Sequence, residues 1–92
     1  MTKVHVPGKD KGIIMLYALS TCPWCGKTKH LLGELGVAYD YEDVDLLEGD
    51  ARHQAVHEVS HWNPDNSFPV LVIDGKKSIV GFREDEIRKA LA

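Results

Sequence analysis

Cys22 and Cys25 are the only cysteines in this 92-residue chain, and they stand in the tetrapeptide Cys22-Pro23-Trp24-Cys25. Two thiols separated by two residues can pass between a dithiol and a disulfide. A disulfide scaffold for a small secreted domain would use more cysteines, spread along the chain. A zinc site would need two further ligands, and there is no second cysteine pair to supply them. A structural pair of cysteines at a helix start is the plainer alternative. Placement between a strand and a helix in a βαβ pattern favours redox chemistry over it.

The reason is positional. Proline is preferred at the first helical position, which puts Cys22 at the N-cap and Cys25 one turn inside the helix. The unpaired N–H groups and the positive end of the helix dipole favour an anion there. A Cys22 sulfur at the cap can accept a hydrogen bond from the N–H of Trp24 or Cys25. Both effects lower a thiol pKa, and the thiolate is the nucleophile. Pro23 removes one backbone donor and stiffens the turn, so it tunes the redox behaviour of the pair.

The elements that must hold this tetrapeptide can be read on either side of it. Ile13 to Ala18 is a short apolar run with β-branched and aromatic members, and reads as a buried strand. After Cys22, Thr28, Leu31, Leu32 and Leu35 recur at helical spacing, and Gly36 is a helix stop. From Val37 to Val44 apolar Tyr39, Tyr41 and Val44 alternate with Asp40, Glu42 and Asp43, as in a second strand parallel to the first. Ala55, Val56, Val59 and Trp62 mark a second helix within residues 47–62, and residues 63–67 are a turn. Phe68 to Ile73 reads as a third strand, Asp74-Gly75 as a hairpin turn, and Lys77 to Val80 as a fourth strand. A last helix covers Arg83 to Leu91. The order is β-α-β-α-β-β-α, an α/β layer fold with a four-stranded mixed sheet. Residues 1–12, with Pro7, Gly8, Gly12 and three lysines, read as a polar arm before a domain of residues 13–92.

Composition adds exclusions. A hydrophobic fraction of 43% and a charged fraction of 27% are ordinary for a globular domain. A net charge of −3 gives no basic surface for nucleic acid or anionic lipid. No apolar run approaches the ~20 residues of a membrane span. Met1 to Gly8 is too polar and interrupted for the apolar core of a signal peptide, so the expected compartment is the cytoplasm.

Three segments together resemble the glutaredoxin family, within its redoxin branch of the type that reduces ribonucleotide reductase: Thr21-Cys22-Pro23-Trp24-Cys25, Ser67-Phe68-Pro69-Val70 and Val80-Gly81-Phe82-Arg83. The resemblance spans roughly residues 13–91. It implies a thioredoxin-like fold and a dithiol–disulfide oxidoreductase with Cys22 as nucleophile and Cys25 as resolving thiol. It implies that Pro69 follows a cis peptide bond and that Phe68, Pro69, Gly81 and Phe82 line the substrate site. It also gives Trp24 a place flanking the sulfur, where it tunes the site and meets targets. No bound cofactor is implied, and glutathione is a candidate reducing co-substrate. Two departures bear on glutathione. Leu19 stands where the family usually carries a Lys or Arg, and Val80 stands where it carries the first of two glycines. A reductase protein of the thioredoxin-reductase type is the competing donor. Expected partners are disulfide-bearing proteins such as a ribonucleotide reductase or peroxidases, met by a monomer. The alternative function in this family is an iron–sulfur cluster carrier using Cys22, which proline at position 23 disfavours.

His53, His57 and His61 are spaced by four and share one helix face. Imidazoles one turn apart can share a metal ion, but a solvated polar face is the simpler reading, and no metal is assigned. His30 falls on the polar side of the first helix.

Overall fold

The computed structural model describes residues 3–91, so the arm's first two residues and Ala92 lie outside the described residues. Among these, a five-stranded sheet has the order β1-β3-β2-β4-β5, with β1 Val4–Val6, β2 Ile14–Ala18, β3 Tyr39–Asp43, β4 Val70–Ile73 and β5 Lys77–Val80. The helices are α1 Pro23–Leu35, α2 Gly49–Trp62 and α3 Glu84–Leu91, with one 3₁₀ turn at Val44–Leu46.

β2 is the central strand, and all five of its residues are buried. Because strand side chains alternate in direction, its two sets feed two cores. Ile14, Leu16 and Ala18 join Leu31 and Leu32 of α1 and Ile87 and Leu91 of α3. Met15 and Tyr17 join Ala55 and Val59 of α2. The helices therefore lie on both faces of the sheet. β2 runs parallel to β3 through the α1 crossover and antiparallel to β4. Asp74 and Gly75 in the hairpin have φ of 55° and 64°. Two positive φ values are what a type I′ turn requires, and they explain the Asp-Gly pair.

The fold departs from the sequence expectation in four places. The expected four-stranded sheet has a fifth strand, because Val4–Val6 of the arm pairs antiparallel with Tyr39–Tyr41 of β3. The arm is tied down further along: Lys9 donates to the Gly36 carbonyl at 2.8 Å and accepts from the Ala38 N–H at 2.8 Å. A Cβ on Gly8 would come within 2.6 Å of the Val37 carbonyl carbon, so glycine is what allows this close approach. Ile13 is 76% exposed rather than buried, since the strand begins after it. The strand expected from Phe68 starts at Val70, because Phe68 and Pro69 form the loop leading into it. The alternation in β3 also fails at Glu42, which is buried.

Candidate functional site

The cysteine loop is built by the end of β2 and the first turn of α1. Cys22 is the N-cap, with φ −88° and ψ 115°, and Pro23 opens the helix. The Cys22 N–H donates to the Leu19 carbonyl at 3.2 Å, closing the loop. The Cys22 sulfur accepts the Cys25 N–H at 3.2 Å, within the range for a sulfur acceptor. Gly26 N–H donates to the Cys22 carbonyl at 3.1 Å, so the first turn is complete from the cap onward. At the other end Gly36 adopts φ 68°, the left-handed stop expected of a glycine there.

The two sulfurs occupy unlike surroundings. Both are free thiols, Cys22 half-buried and Cys25 buried. Cys25 is 1% exposed and belongs to the apolar core under α1. Burial pushes its thiol up to about 12, and a hydrogen bond with the Cys22 sulfur adds to the rise. One sulfur is thus reachable from outside, and the other holds its proton one turn below. Behind them Thr28 is fully buried and donates its hydroxyl to the Trp24 carbonyl at 2.9 Å.

The other segments converge on this loop from the far end of the chain. The Phe68–Pro69 peptide bond is cis, as the resemblance implies. Asn63 shapes the turn ahead of it, donating to the Ser67 carbonyl at 3.0 Å and accepting the Asp65 N–H at 3.3 Å. Gly81 N–H donates to the Pro69 carbonyl at 2.8 Å, joining the proline loop to the turn before α3. Gly81 has φ 85°, a conformation that suits glycine. Next to it Phe82 stacks on Trp24, with ring centroids 6.1 Å apart and planes inclined by 26°. Trp24 is 55% exposed, so the helix periodicity does not carry it into the core. Cys22, Phe68 and Phe82 pack on the same core cluster. A groove of about 590 Å³ opens between α1 and α3, lined by Pro23, Lys27, His30, Phe82 and Arg88 among others.

A glutaredoxin family model matches residues 14–78 of the chain. The chain belongs to the glutaredoxin family. This glutaredoxin-family chain is similar to the structure of a glutaredoxin from Methanosarcina mazei, at 51% identity and a TM-score of 0.92, covering 100% of this chain and 89% of that one. It is also similar to methanoredoxin from Methanosarcina acetivorans, at 50% identity and a TM-score of 0.89, covering 92% of this chain and 90% of that one. A glutaredoxin-like 8.6 kDa protein encoded in the rubredoxin operon of Clostridium pasteurianum is 34% identical over 79 residues, covering 86% of this chain and 97% of that protein. The thioredoxin-like fold and the thiol–disulfide character of the family thus extend to this glutaredoxin.

Leu19, in the place of the family's cation, is half-buried against the core on the α2 side. Two lysine contacts near the cysteines were not anticipated from the sequence. Lys27 Nζ lies 4.4 Å from the Trp24 ring centroid. Lys29 Nζ lies 3.0 Å from Asp43 Oδ1 and 4.1 Å from the Tyr41 ring centroid. Lys29 follows Cys25 by four residues, the helical spacing that could have pointed to it.

His53, His57 and His61 line a different groove, of about 1060 Å³, between α2 and the sheet. All three are exposed. Among the described residues no group of three His, Cys, Asp or Glu side chains is placed to hold a metal ion. His30 is exposed and pairs with Glu34 at 3.0 Å. Among the described residues no helix is long and apolar enough to cross a membrane.

Proposed function

We propose that this glutaredoxin is a dithiol reductant of protein and mixed disulfides, with Cys22 as nucleophile and Cys25 as resolving thiol. The observation that carries the reading is the asymmetry of the pair: a reachable Cys22 sulfur at the N-cap, accepting the Cys25 N–H, and a Cys25 sulfur buried one turn below. The Cys22 thiolate attacks a target disulfide and displaces one target thiolate, leaving a mixed disulfide on Cys22. The Cys25 sulfur then attacks the Cys22 sulfur and displaces the second target thiol, and the Cys22–Cys25 pair is oxidised.

The walls of the site have separate parts in this reading. Phe68 and Pro69 offer backbone to an extended target segment. Gly81 holds the proline loop. Trp24 and Phe82 form one side of the apolar rim that meets the target. Pro23 and Trp24, between the sulfurs, tune the potential of the pair. The targets are disulfide-bearing proteins of the ribonucleotide reductase or peroxidase kind, and the protein works as a cytoplasmic monomer without a bound cofactor. Glutathione or a thioredoxin-reductase-type protein resets the pair. Supplying the oxidised protein with each system separately identifies the donor.

Serine variants test the assignment of the two sulfurs. Cys22→Ser abolishes turnover of a disulfide substrate. Cys25→Ser still attacks and accumulates a mixed disulfide at Cys22, read by intact-mass spectrometry. Limited alkylation of the reduced protein at mildly acidic pH labels Cys22 first. Turnover retained by Cys22→Ser, or first labelling at Cys25, overturns the roles. Visible absorbance of anaerobically purified protein, the signature of a bound iron–sulfur cluster, replaces the reading by a cluster carrier.

A further inference from the structure

The resolving step poses a problem that burial creates. Cys25 must attack as a thiolate, yet it lies among Leu16, Ala18, Leu31 and Ile87, where an anion is disfavoured. The position ahead of the loop that would offer a cation holds Leu19. On the other side of Cys25, one helical turn along α1, stands Lys29. A lysine side chain is ordinarily mobile, but this one is fixed at two points, by Asp43 at 3.0 Å and by the Tyr41 ring at 4.1 Å. The Lys29 side chain is 26% exposed and that of Asp43 16% exposed, so the ion pair is largely withdrawn from solvent. Charge in such a place is screened less than charge on the surface.

Among the described residues Lys29 is a cation that bears on Cys25, four residues further along α1 and so on the same helix face. From α1 the Cys22 sulfur faces it, and the thiolate of either cysteine opposes the other. From the loop the Leu19 N–H favours the anion, and Lys29 acts in the same direction. From β3 come Tyr39, Tyr41 and Asp43, the last tied to Lys29 itself. Beyond β3, Asp45 is engaged by the backbone N–H and hydroxyl of Ser20. From α3 the packing residues are Ile87 and Leu91, while Arg88 is occupied by Glu84 and Glu34. Lys27 lies over the exposed Trp24 ring instead.

We propose that Lys29 is a positioning residue for the resolving step, its ammonium held by Asp43 and the Tyr41 ring so that the Cys25 sulfur can shed its proton before attacking the Cys22–target disulfide. The inference rests on the Cys22/Cys25 roles of the preceding subsection. In the step, the Cys25 proton passes to solvent and a bond forms between the Cys25 and Cys22 sulfurs. The bond between Cys22 and the target sulfur breaks, and the electron pair leaves on the target sulfur, which takes up a proton. The cysteine pair is oxidised by two electrons and the target disulfide is reduced by two. Lys29 exchanges neither electrons nor protons.

Ellman's reagent separates the two steps, because attack by Cys22 releases one coloured thiolate and resolution by Cys25 releases the second. Lys29→Gln keeps a side chain that can donate to Asp43 and removes the charge. In stopped-flow measurements across pH it leaves the first phase unchanged. It slows the second phase about tenfold at neutral pH, which corresponds to a displacement of its profile by one pH unit toward alkali. Lys29→Arg restores the wild-type profile. A second phase whose pH profile is the same in Lys29→Gln overturns the proposal, as does equal slowing of both phases with a lowered melting temperature. The ratio of the phases is read within one molecule, so partial destabilisation does not obscure it. Cys25→Ser in the same assay guards the premise: a second phase that persists in that variant refutes the dithiol roles themselves, independently of Lys29.

Discussion

On the α1/α3 face, the titratable side chain with the most constrained surroundings is Cys25, enclosed by aliphatic neighbours and reached through a helix cap. On the α2 face, His53, His57, His61, Glu58 and Tyr17 line an open groove of about 1060 Å³. The second face has three imidazoles in a row and the larger opening. The first has two sulfurs whose separation, exposure and hydrogen bonding are set by one helix turn. The contrast teaches that chemistry follows from positioned groups in unlike environments, and that a row of exposed imidazoles supplies none by itself.

Core truncations on the two faces carry the largest expected effect. Leu32 and Val59 are both 0% exposed, one on each face. Leu32→Ala costs about 2–5 kcal/mol, because the cavity forms in a close-packed core. Val59→Ala removes less hydrocarbon and costs less. Urea unfolding of both variants measures the difference. Equal losses would show that the α2 face loses more per carbon removed and is the more tightly packed of the two.

A second effect appears at alkaline pH and has a contribution from each face. Cys25 is raised from 9.0 and Tyr17 from 10.0, each to about 12, both chiefly through burial. At neutral pH both groups are protonated in the folded and unfolded chains, and neither changes the stability. As pH rises from 9 toward 12 the unfolded chain releases these protons first, so folding is penalised progressively. The melting temperature of the reduced protein therefore falls over this window. Cys25→Ala and Tyr17→Phe each flatten part of the fall. A flat profile in the reduced wild type would contradict the burial argument on both faces.

The smallest effect tests the inventory directly. Replacing His53, His57 and His61 together by alanine leaves disulfide turnover unchanged and alters stability by about 0.5 kcal/mol or less per site. His61 contributes most of any loss, through its edge contact with Trp62 at 5.0 Å. A marked fall in turnover would give the α2 face a part in catalysis.

Features encoded by short-range preferences were legible without coordinates. Pro23 after Cys22 marks a helix cap, Gly36 a left-handed stop, and Asp74-Gly75 a tight hairpin, because each acts within a few residues of itself. Convergence of Pro69, Gly81 and Phe82 near the cysteines was legible only through the family resemblance, since no local preference brings residue 82 against residue 24. The arm's strand was not legible. Val4–Val6 is too short for alternation to show, it is followed by Pro7 and Gly8, and its partner strand lies 35 residues on. Burial of Glu42 and the fixing of Lys29 by Asp43 share that origin. Both depend on which strand ends beside which helix, a property of the assembled layers.

The added strand β1 also changes what the sheet presents at its margins. Without it, β3 would end the sheet with an unpaired row of backbone groups along five residues. With it, the margins are β1, three residues long, and β5, four residues long and carrying Lys77. Strands this short, one bearing a lysine, are poor templates for edge-to-edge joining with another chain. The arm thus serves colloidal behaviour as well as folding: it closes the margin along which concentrated molecules would otherwise aggregate.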